Sequence, residues 1–405
     1  MASHAVESSP VEKREGFFSG KKGRGRREAL TAYTFLLPSF VVLLVFNIFP
    51  VFYAFYVSLH KWFIKQGAFV GVDNYLRLLG EPLDILMFIA GAGLIIAAWF
   101  VWRSVRPEQS NTSWVLRLGA AILLILGGWL LLTGFPRMYA QGDERLFKSL
   151  VVTIFYSMGT VPLQLILGLS LAILLFQKIK GKSLFRVIYF LPYITPAVAS
   201  AAVWMAIFEP KRGLINSTLA GLFGIADESL PQWLWEATGI NESVLNTIGI
   251  NVDLPWLLAG PSLALIAVII YNIWVFTGYN AVLFLAGLGG IPFEMYEAAK
   301  IDGAGRWALF RHITLPLLSP TTFFLTMVGI IGTFQAVNHI FVMTQVSGIT
   351  EPQFTTATNT IYIWERFRVA SRYGYASAIA FILFGIILIL TRIQTKVQGE
   401  RVHYG

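Results

Sequence analysis

Three groups of residues in this 405-residue chain have types and spacings that could do chemistry. One helix carries Asn272, Phe276 and Asn280, and another carries Phe334, Gln335, Asn338 and His339. Uncharged amides can hydrogen-bond hydroxyl groups, and aromatic faces can stack against a flat ring. The same amides can instead tie helices together, at about 0.6–2 kcal/mol per interhelical bond. His339 reads as structural. The third group is the stretch Ile291–Pro320, IPFEMYEAAKIDGAGRWALFRHITLPLLSP. Pro292 suits the first turn of a helix, with Glu294 and Glu297 near its positive end. Asp302-Gly303-Ala304-Gly305 reads as a turn, and a second short helix is expected from Arg306 to Ile313, stopping before Pro316. Ala298, Ala299, Gly303 and Ala304 keep one side small enough for a partner's backbone to approach closely. The plainer reading of this stretch is an amphipathic connector lying on lipid headgroups.

Other chemistries are poorly supplied. The chain has no cysteine, which removes disulfides, thiolate catalysis and Cys-ligated metals. His4, His60, His312, His339 and His403 show no i,i+4 pairing, so metal ligation is not expected. Gly181-Lys182-Ser183 resembles the end of a phosphate loop, but the glycine needed five places earlier is Phe176. No G-x-S-x-G elbow is present, and carboxylates within the expected spans are read as absent, which counts against an ion-coupled carrier. Asn111, Asn216 and Asn241 begin N-x-S/T triplets of chance-level weight.

The elements that position these residues are membrane helices. Hydrophobic residues make up 56% of the chain and charged residues 13%, with a mean hydropathy of +0.66, outside the soluble range. Roughly 20 apolar residues cross a bilayer. The sequence predicts eight spans: Ala32–Leu59, Leu83–Trp102, Leu116–Phe135, Leu150–Phe176, Phe185–Phe208, Ser262–Leu288, Thr322–Met343 and Tyr375–Leu390. Pro38 and Pro50 are expected to bend the first or mark its ends. With even span count, the side of the N-terminus holds 20 of the 31 Lys and Arg and 9 acidic residues, a net +11. The opposite side holds 11 basic and 13 acidic residues, a net −2, which predicts cytoplasmic termini. The expected segments are a basic tail over 1–31, in part disordered, a first helix and outer segment over 32–82, an inserted helical pair over 83–143, a core over 144–395, and a tail over 396–405. The core includes an extracytoplasmic loop over 209–261 and a cytoplasmic loop over 289–321. In the outer loop, Trp233, Trp235 and Trp256 suggest parts lying at the membrane surface.

The cytoplasmic loop resembles the EAA motif of binding-protein-dependent ABC importer permeases. Glu297-Ala298-Ala299, Gly303, Ile313, Leu315 and Pro316 meet every position of that pattern, on a loop between two spans. FVGVDNYLRLL (Phe69–Leu79), VPLQLILGLSLAILL (Val161–Leu175), FLPYITPAVA (Phe190–Ala199), NIW (Asn272–Trp274) and YGYASAIA (Tyr373–Ala380) are similar to the carbohydrate, maltose/trehalose-type branch. The resemblance covers about residues 30–82 and 146–395. It departs from the pattern at Leu83–Asp143, which looks like an insertion of two helices, at the short link Pro136–Phe147, and around Val346-Ser347-Gly348-Ile349.

The resemblance implies an all-α, type I (MetI-like) permease fold in a bacterial or archaeal plasma membrane. It also implies a second permease subunit, two copies of an ABC ATPase and an extracytoplasmic sugar-binding protein, with membrane lipid around them and no nucleic acid. ATP and Mg would belong to the ATPase, with no cofactor and no catalytic residue in this chain. Glu297, Ala298, Ala299, Asp302, Gly303, Ile313, Leu315 and Pro316 would couple to the ATPase. Asn272, Phe276, Phe334, Gln335 and Asn338 would contact a neutral di- or oligosaccharide. A glycerol-phosphate-like solute would call for Arg or Lys on the pore helices, which show none. The other classes are a self-contained secondary carrier and a membrane glycosyltransferase using Asp227, Glu228 or Asp253.

Overall fold

The computed structural model describes residues 20–104, 110–177, 179–211, 213–225, 230–250, 252, 254–344 and 355–399. Asp227, Glu228, Asp253 and the Val346–Ile349 stretch lie outside the described residues. The chain divides into two compact units, Met1–Val57 and Ser58–Gly405. In the first unit, α1 (Gly20–Leu43) passes through a π-helical turn (Leu44–Ile48) into α2 (Phe49–Ser58). The helix therefore starts well before Ala32, inside the basic segment. It is apolar on all sides, and its hydrophobic window is nowhere buried, as expected of a helix surrounded by lipid.

The second unit opens with α3 (Asp73–Leu79), followed by α4 (Pro82–Ser104) and α5 (Ser110–Gln141). The last two form the hairpin expected as an insertion. It closes tightly because Gly91 and Gly127 face each other: a Cβ at either would stand 2.8 Å from the other's carbonyl oxygen. Asp84, in the first turn of α4, is buried and lies 3.9 Å from Arg137. The expectation that no span carries a carboxylate is corrected there: a pairing arginine makes the buried charge tolerable.

α6 (Glu144–Phe176) and α11 (Leu263–Gly289) run parallel as the central pair. Gly159 meets Ile269 and Gly168 meets Asn280, each closer than a Cβ would allow. Between them in sequence come α7 (Lys182–Ile194), α8 (Ala197–Ile207), α9 (Leu214–Phe223) and α10 (Ile240–Thr247). Within the expected span Phe185–Phe208, α7 and α8 meet at a 95° bend. Pro196 supplies no N–H and holds Thr195 extended (φ −66°, ψ 136°), so the helix cannot continue through it. The long loop that follows folds back on the core. Trp233 packs 5.4 Å from Phe208 and donates its indole N–H to Asn216 at 2.8 Å, so this ring is partly buried against the core, whereas Trp235 is exposed.

After α11 come α12 (Phe293–Ile301), α13 (Arg306–Leu309), a π-helical turn (Phe310–Thr314), α14 (Leu315–Leu317) and α15 (Ser319–Phe334). Here the helix does not stop before Pro316. The Leu315 N–H bonds to the Phe310 carbonyl five residues back, widening the turn so that the proline ring clears the carbonyl below it. Pro50 is accommodated in the same way by the Leu44–Ile48 turn. The expected Thr322–Met343 span is also broken: α15 ends at Phe334, and α16 (Asn338–Thr344) begins after a three-residue gap. α17 (Asn359–Trp364), a π-helical turn (Glu365–Val369) and α18 (Tyr373–Gly399) complete the chain.

Among the described residues six helices are long and apolar enough to cross a membrane, or up to eight if α7–α8 and the pair Arg306–Leu317 with Ser319–Phe334, bent by 63°, each count as one span; the same residues contain no strand. The chain is a polytopic, all-α membrane protein. Its interior is divided along α6 and α11. One apolar cluster gathers Val152, Tyr156, Leu265 and Tyr271; another gathers Ala172, Leu175, Phe284 and Leu288. A polar lock joins α6 to α17 and α18. Asp143, the N-cap of α6, accepts hydrogen bonds from the Arg145 N–H at 2.9 Å and from the Tyr362 and Tyr375 hydroxyls. Arg366 donates to the Tyr362 oxygen at 3.0 Å and lies over its ring. Burial first, and then the Asp143 carboxylate, push the Tyr362 phenol well above its ordinary value.

Candidate functional site

The gap between the two apolar clusters is a cavity of about 310 Å³. From α11 it is lined by Tyr271, Asn272, Val275, Phe276, Tyr279 and Asn280, a helical stripe centred on the middle of a 27-residue span. From α15, α16 and the gap between them come Gly329, Thr333, Gln335, Asn338 and His339. Tyr193, Thr195 and Ala197 come from the α7–α8 bend. Both helix breaks therefore open onto this one space. Inside a membrane, non-helical backbone is tolerated only where protein or an enclosed cavity satisfies it.

Side chains satisfy backbone carbonyls at both breaks. The Phe334 carbonyl accepts from Thr360 Oγ1 at 2.7 Å and the Ala336 carbonyl from Thr358 Oγ1 at 3.3 Å. At the other bend, Tyr271 donates to the Ala197 carbonyl at 3.2 Å and sits 2.8 Å from Ser200 Oγ. His339 Nε2 lies 2.7 Å from the Tyr156 hydroxyl, and its ring stacks on Tyr271 at 5.2 Å. Tyr193 stacks on Tyr279 with centroids 4.5 Å apart and meets Phe276 edge-on at 5.6 Å. Gly278 makes that possible, because a Cβ there would fall 1.7 Å from the Tyr189 carbonyl oxygen.

Asn272, Phe276, Gln335 and Asn338 thus come together, with Asn280 and His339 beside them. Phe334 does not join them: it is buried at the end of α15, away from the lining. Sequence reasoning passed over Gln164, Tyr193 and Tyr279. Gln164 and Tyr193 were hidden inside apolar runs, and only a polar or aromatic residue at helical spacing marked them. Among the described residues, no Lys, Arg, Asp or Glu lines the cavity. Its chemistry is hydrogen bonding by amides and hydroxyls, together with stacking on aromatic rings.

The loop residues lie far along the same helix pair, beyond Phe176 and Gly289. Glu297, Ala298 and Ala299 sit on α12; Glu297 is exposed and has no partner among the described residues. Asp302 and Gly303 form the turn, with Gly303 at φ +82°, a left-handed conformation that glycine adopts freely. Ile313, Leu315 and Pro316 fall across the π-helical turn and α14. Tyr296 and Thr314, 3.0 Å apart, tie the two arms together. Ile301, one helical turn from Glu297, is 86% exposed, and Trp307 on α13 is 69% exposed.

A charge-free cavity in mid-span, reached by two interrupted helices and joined through α11 and α15 to an exposed two-helix loop, defines a membrane transport subunit. The chain belongs to a known family of such subunits: the family described as binding-protein-dependent transport system inner membrane component matches residues 164–400, more than half of the chain. Among relatives, the trehalose/maltose transport system permease protein MalF of Thermococcus litoralis is 27% identical over 377 residues, covering 93% of this chain and 96% of that protein. The diacetylchitobiose uptake system permease protein NgcF of Streptomyces coelicolor is 30% identical over 337 residues, covering 80% and 82%. Among solved structures, a chain of a bacterial alginate ABC transporter, in complex with an alginate pentasaccharide-bound periplasmic protein, shares the fold. Its TM-score is 0.58 at 16% identity, covering 94% of this chain and 98% of that one.

Proposed function

We propose that this chain is one permease subunit of an ATP-driven, binding-protein-dependent importer for a neutral di- or oligosaccharide. The observation that carries the reading is the mid-span cavity, lined by amides and aromatic rings without a formal charge. Relatives whose names refer to trehalose/maltose and diacetylchitobiose support the sugar class. A phosphorylated or carboxylated solute would need a cation that this lining lacks. In this reading Asn272, Phe276, Gln335 and Asn338 hold the sugar. Phe334 acts through its position, as the last residue before the break.

A second permease subunit completes the pore, two ATPase copies bind below with their ATP and Mg, and an extracytoplasmic binding protein delivers the sugar. The ATPase grips α12 at Glu297, Ala298 and Ala299, with the Asp302-Gly303 turn and the Ile313–Pro316 stretch as the lever. ATP-driven closure then favours the outward-facing of two global states. The chain lies in a bacterial or archaeal plasma membrane with both termini cytoplasmic. The test is purification from native membranes in mild detergent, followed by uptake in proteoliposomes. The reading expects a copurifying ATPase and second permease, and Gln335→Ala should reduce uptake with assembly intact. A chain that comes down alone and transports under an ion gradient would be a secondary carrier.

A further inference from the structure

The polar groups of the cavity differ sharply between its two ends. At the end nearer Glu144 and Ser262 three of them are held by hydrogen bonds to neighbours: Tyr156 with His339, Tyr271 with Ser200, and Thr333 with Ser157. Toward the α12–α14 loop others are not. Gln164 Oε1 on α6 and Asn280 Nδ2 on α11 both belong to cavity-lining residues, are buried, and have no hydrogen-bond partner. Each residue is 2% exposed. Thr160 Oγ1, one helical turn from Gln164 on the same face, is also without a partner. Buried polar atoms left open in this way cost free energy, and native proteins keep them where something else satisfies them.

Glycines set both side chains in place. A Cβ at Gly329 on α15 would stand 3.1 Å from Gln164 Nε2, so that glycine makes room for the amide. A Cβ at Gly168 would stand 2.7 Å from the Asn280 Cβ. Gly168 lies one turn beyond Gln164 on α6, so Gln164 and Asn280 flank one stretch of the parallel α6–α11 seam. One presents an acceptor and the other a donor. That pair complements two neighbouring hydroxyls, one donating and one accepting. From Asn272 to Asn280 the helix rises about 12 Å, room for two linked rings.

We propose that Gln164 and Asn280 form a second, deeper sugar subsite, in which Gln164 Oε1 accepts from one hydroxyl of a vicinal diol and Asn280 Nδ2 donates to its neighbour. This rests on the sugar-importer reading, and the experiment separates the two. The whole complex is reconstituted with its binding protein, and uptake of labelled maltose, trehalose, lactose and chitobiose is measured beside ATP hydrolysis. Gln164→Leu and Asn280→Leu should each lower sugar moved per ATP about tenfold, while stimulated hydrolysis stays within about twofold of wild type. The melting temperature of each variant complex should hold or rise, because an orphaned polar atom has been removed. A structural role predicts the reverse, a lower melting temperature with uptake and hydrolysis falling together, and that result overturns the proposal. Unchanged coupling in both variants also overturns it, and if Gln335→Ala still reduces uptake the importer reading survives alone. A wild-type complex that moves none of the four sugars removes the sugar reading and this subsite with it.

Discussion

Residues that a ligand or partner would use are set apart here by what they lack. Glu297 is exposed with no partner, whereas Asp143 accepts three hydrogen bonds and holds three helices. Their substitutions should therefore fail differently. Glu297→Arg should leave the melting temperature unchanged and abolish sugar-stimulated ATP hydrolysis in the assembled complex. Retention of full stimulation would remove Glu297 from the coupling surface. Asp143→Asn should cost about 1–3 kcal/mol and lower the melting temperature by several degrees, with coupling per complex unaltered. Tyr362 adds a pH dependence. Its folded pKa lies above the unfolded value of 10.0, so its contribution is complete below about pH 10 and is lost as pH rises beyond it. Tyr375 donates to the same Asp143 oxygen as Tyr362, Arg366 donates to the Tyr362 oxygen, and Tyr362→Phe should flatten the fall in melting temperature between about pH 10 and 11.5. A parallel fall in both proteins would dissociate Tyr362 from it. At this scale the sequence was legible where amides clustered, as at Gln335 and Asn338. It was silent on Gln164, whose meaning depends on the absence of a partner, and gave no sign that Phe334, buried at the end of α15, lies outside the cavity lining.

Elements were legible from hydropathy and illegible at their breaks. Eight apolar runs were visible because length and composition alone decide them. The 95° bend at Thr195-Pro196 had a local signal, the proline, concealed within a continuous apolar run. The gap after Phe334 had none, since Gln335, Ala336 and Val337 all enter helices readily; hydroxyls from Thr358 and Thr360, more than twenty residues away, stabilise it. Pro316 misled in the opposite sense, because a π-helical turn lets the helix pass where an α-turn would clash. Two glycines test the packing. Gly278→Ala would drive a Cβ into the Tyr189 carbonyl and should prevent stable assembly, whereas Gly385→Ala meets nothing within 4 Å and should be neutral or stabilising by up to about 1 kcal/mol. Normal assembly of Gly278→Ala, scored by gel filtration, would mean that α7 is not held against α11 by that contact.

For the whole molecule the open question is sidedness, and the charge asymmetry gives a definite expectation. The chain contains no cysteine, so single-cysteine labelling has no background. A membrane-impermeant maleimide should label Glu236→Cys on intact cells or spheroplasts, and Lys180→Cys only after permeabilisation. Labelling of both from the same side would contradict the topology argued from Lys and Arg.

The α4–α5 hairpin enters and leaves the rest of its unit at a single doorway. The Asp143 N–H bonds to the Leu78 carbonyl at 3.0 Å, and Gly142 lies so close that a Cβ would come within 2.7 Å of the same oxygen. The two ends of a segment of more than sixty residues are thus already neighbours, close enough for a short link to replace everything between them. Excising residues 81–141 and letting Gly142 close the join should return a six-span permease that still folds, with the hairpin's own contribution read as whatever the shortened protein can no longer do.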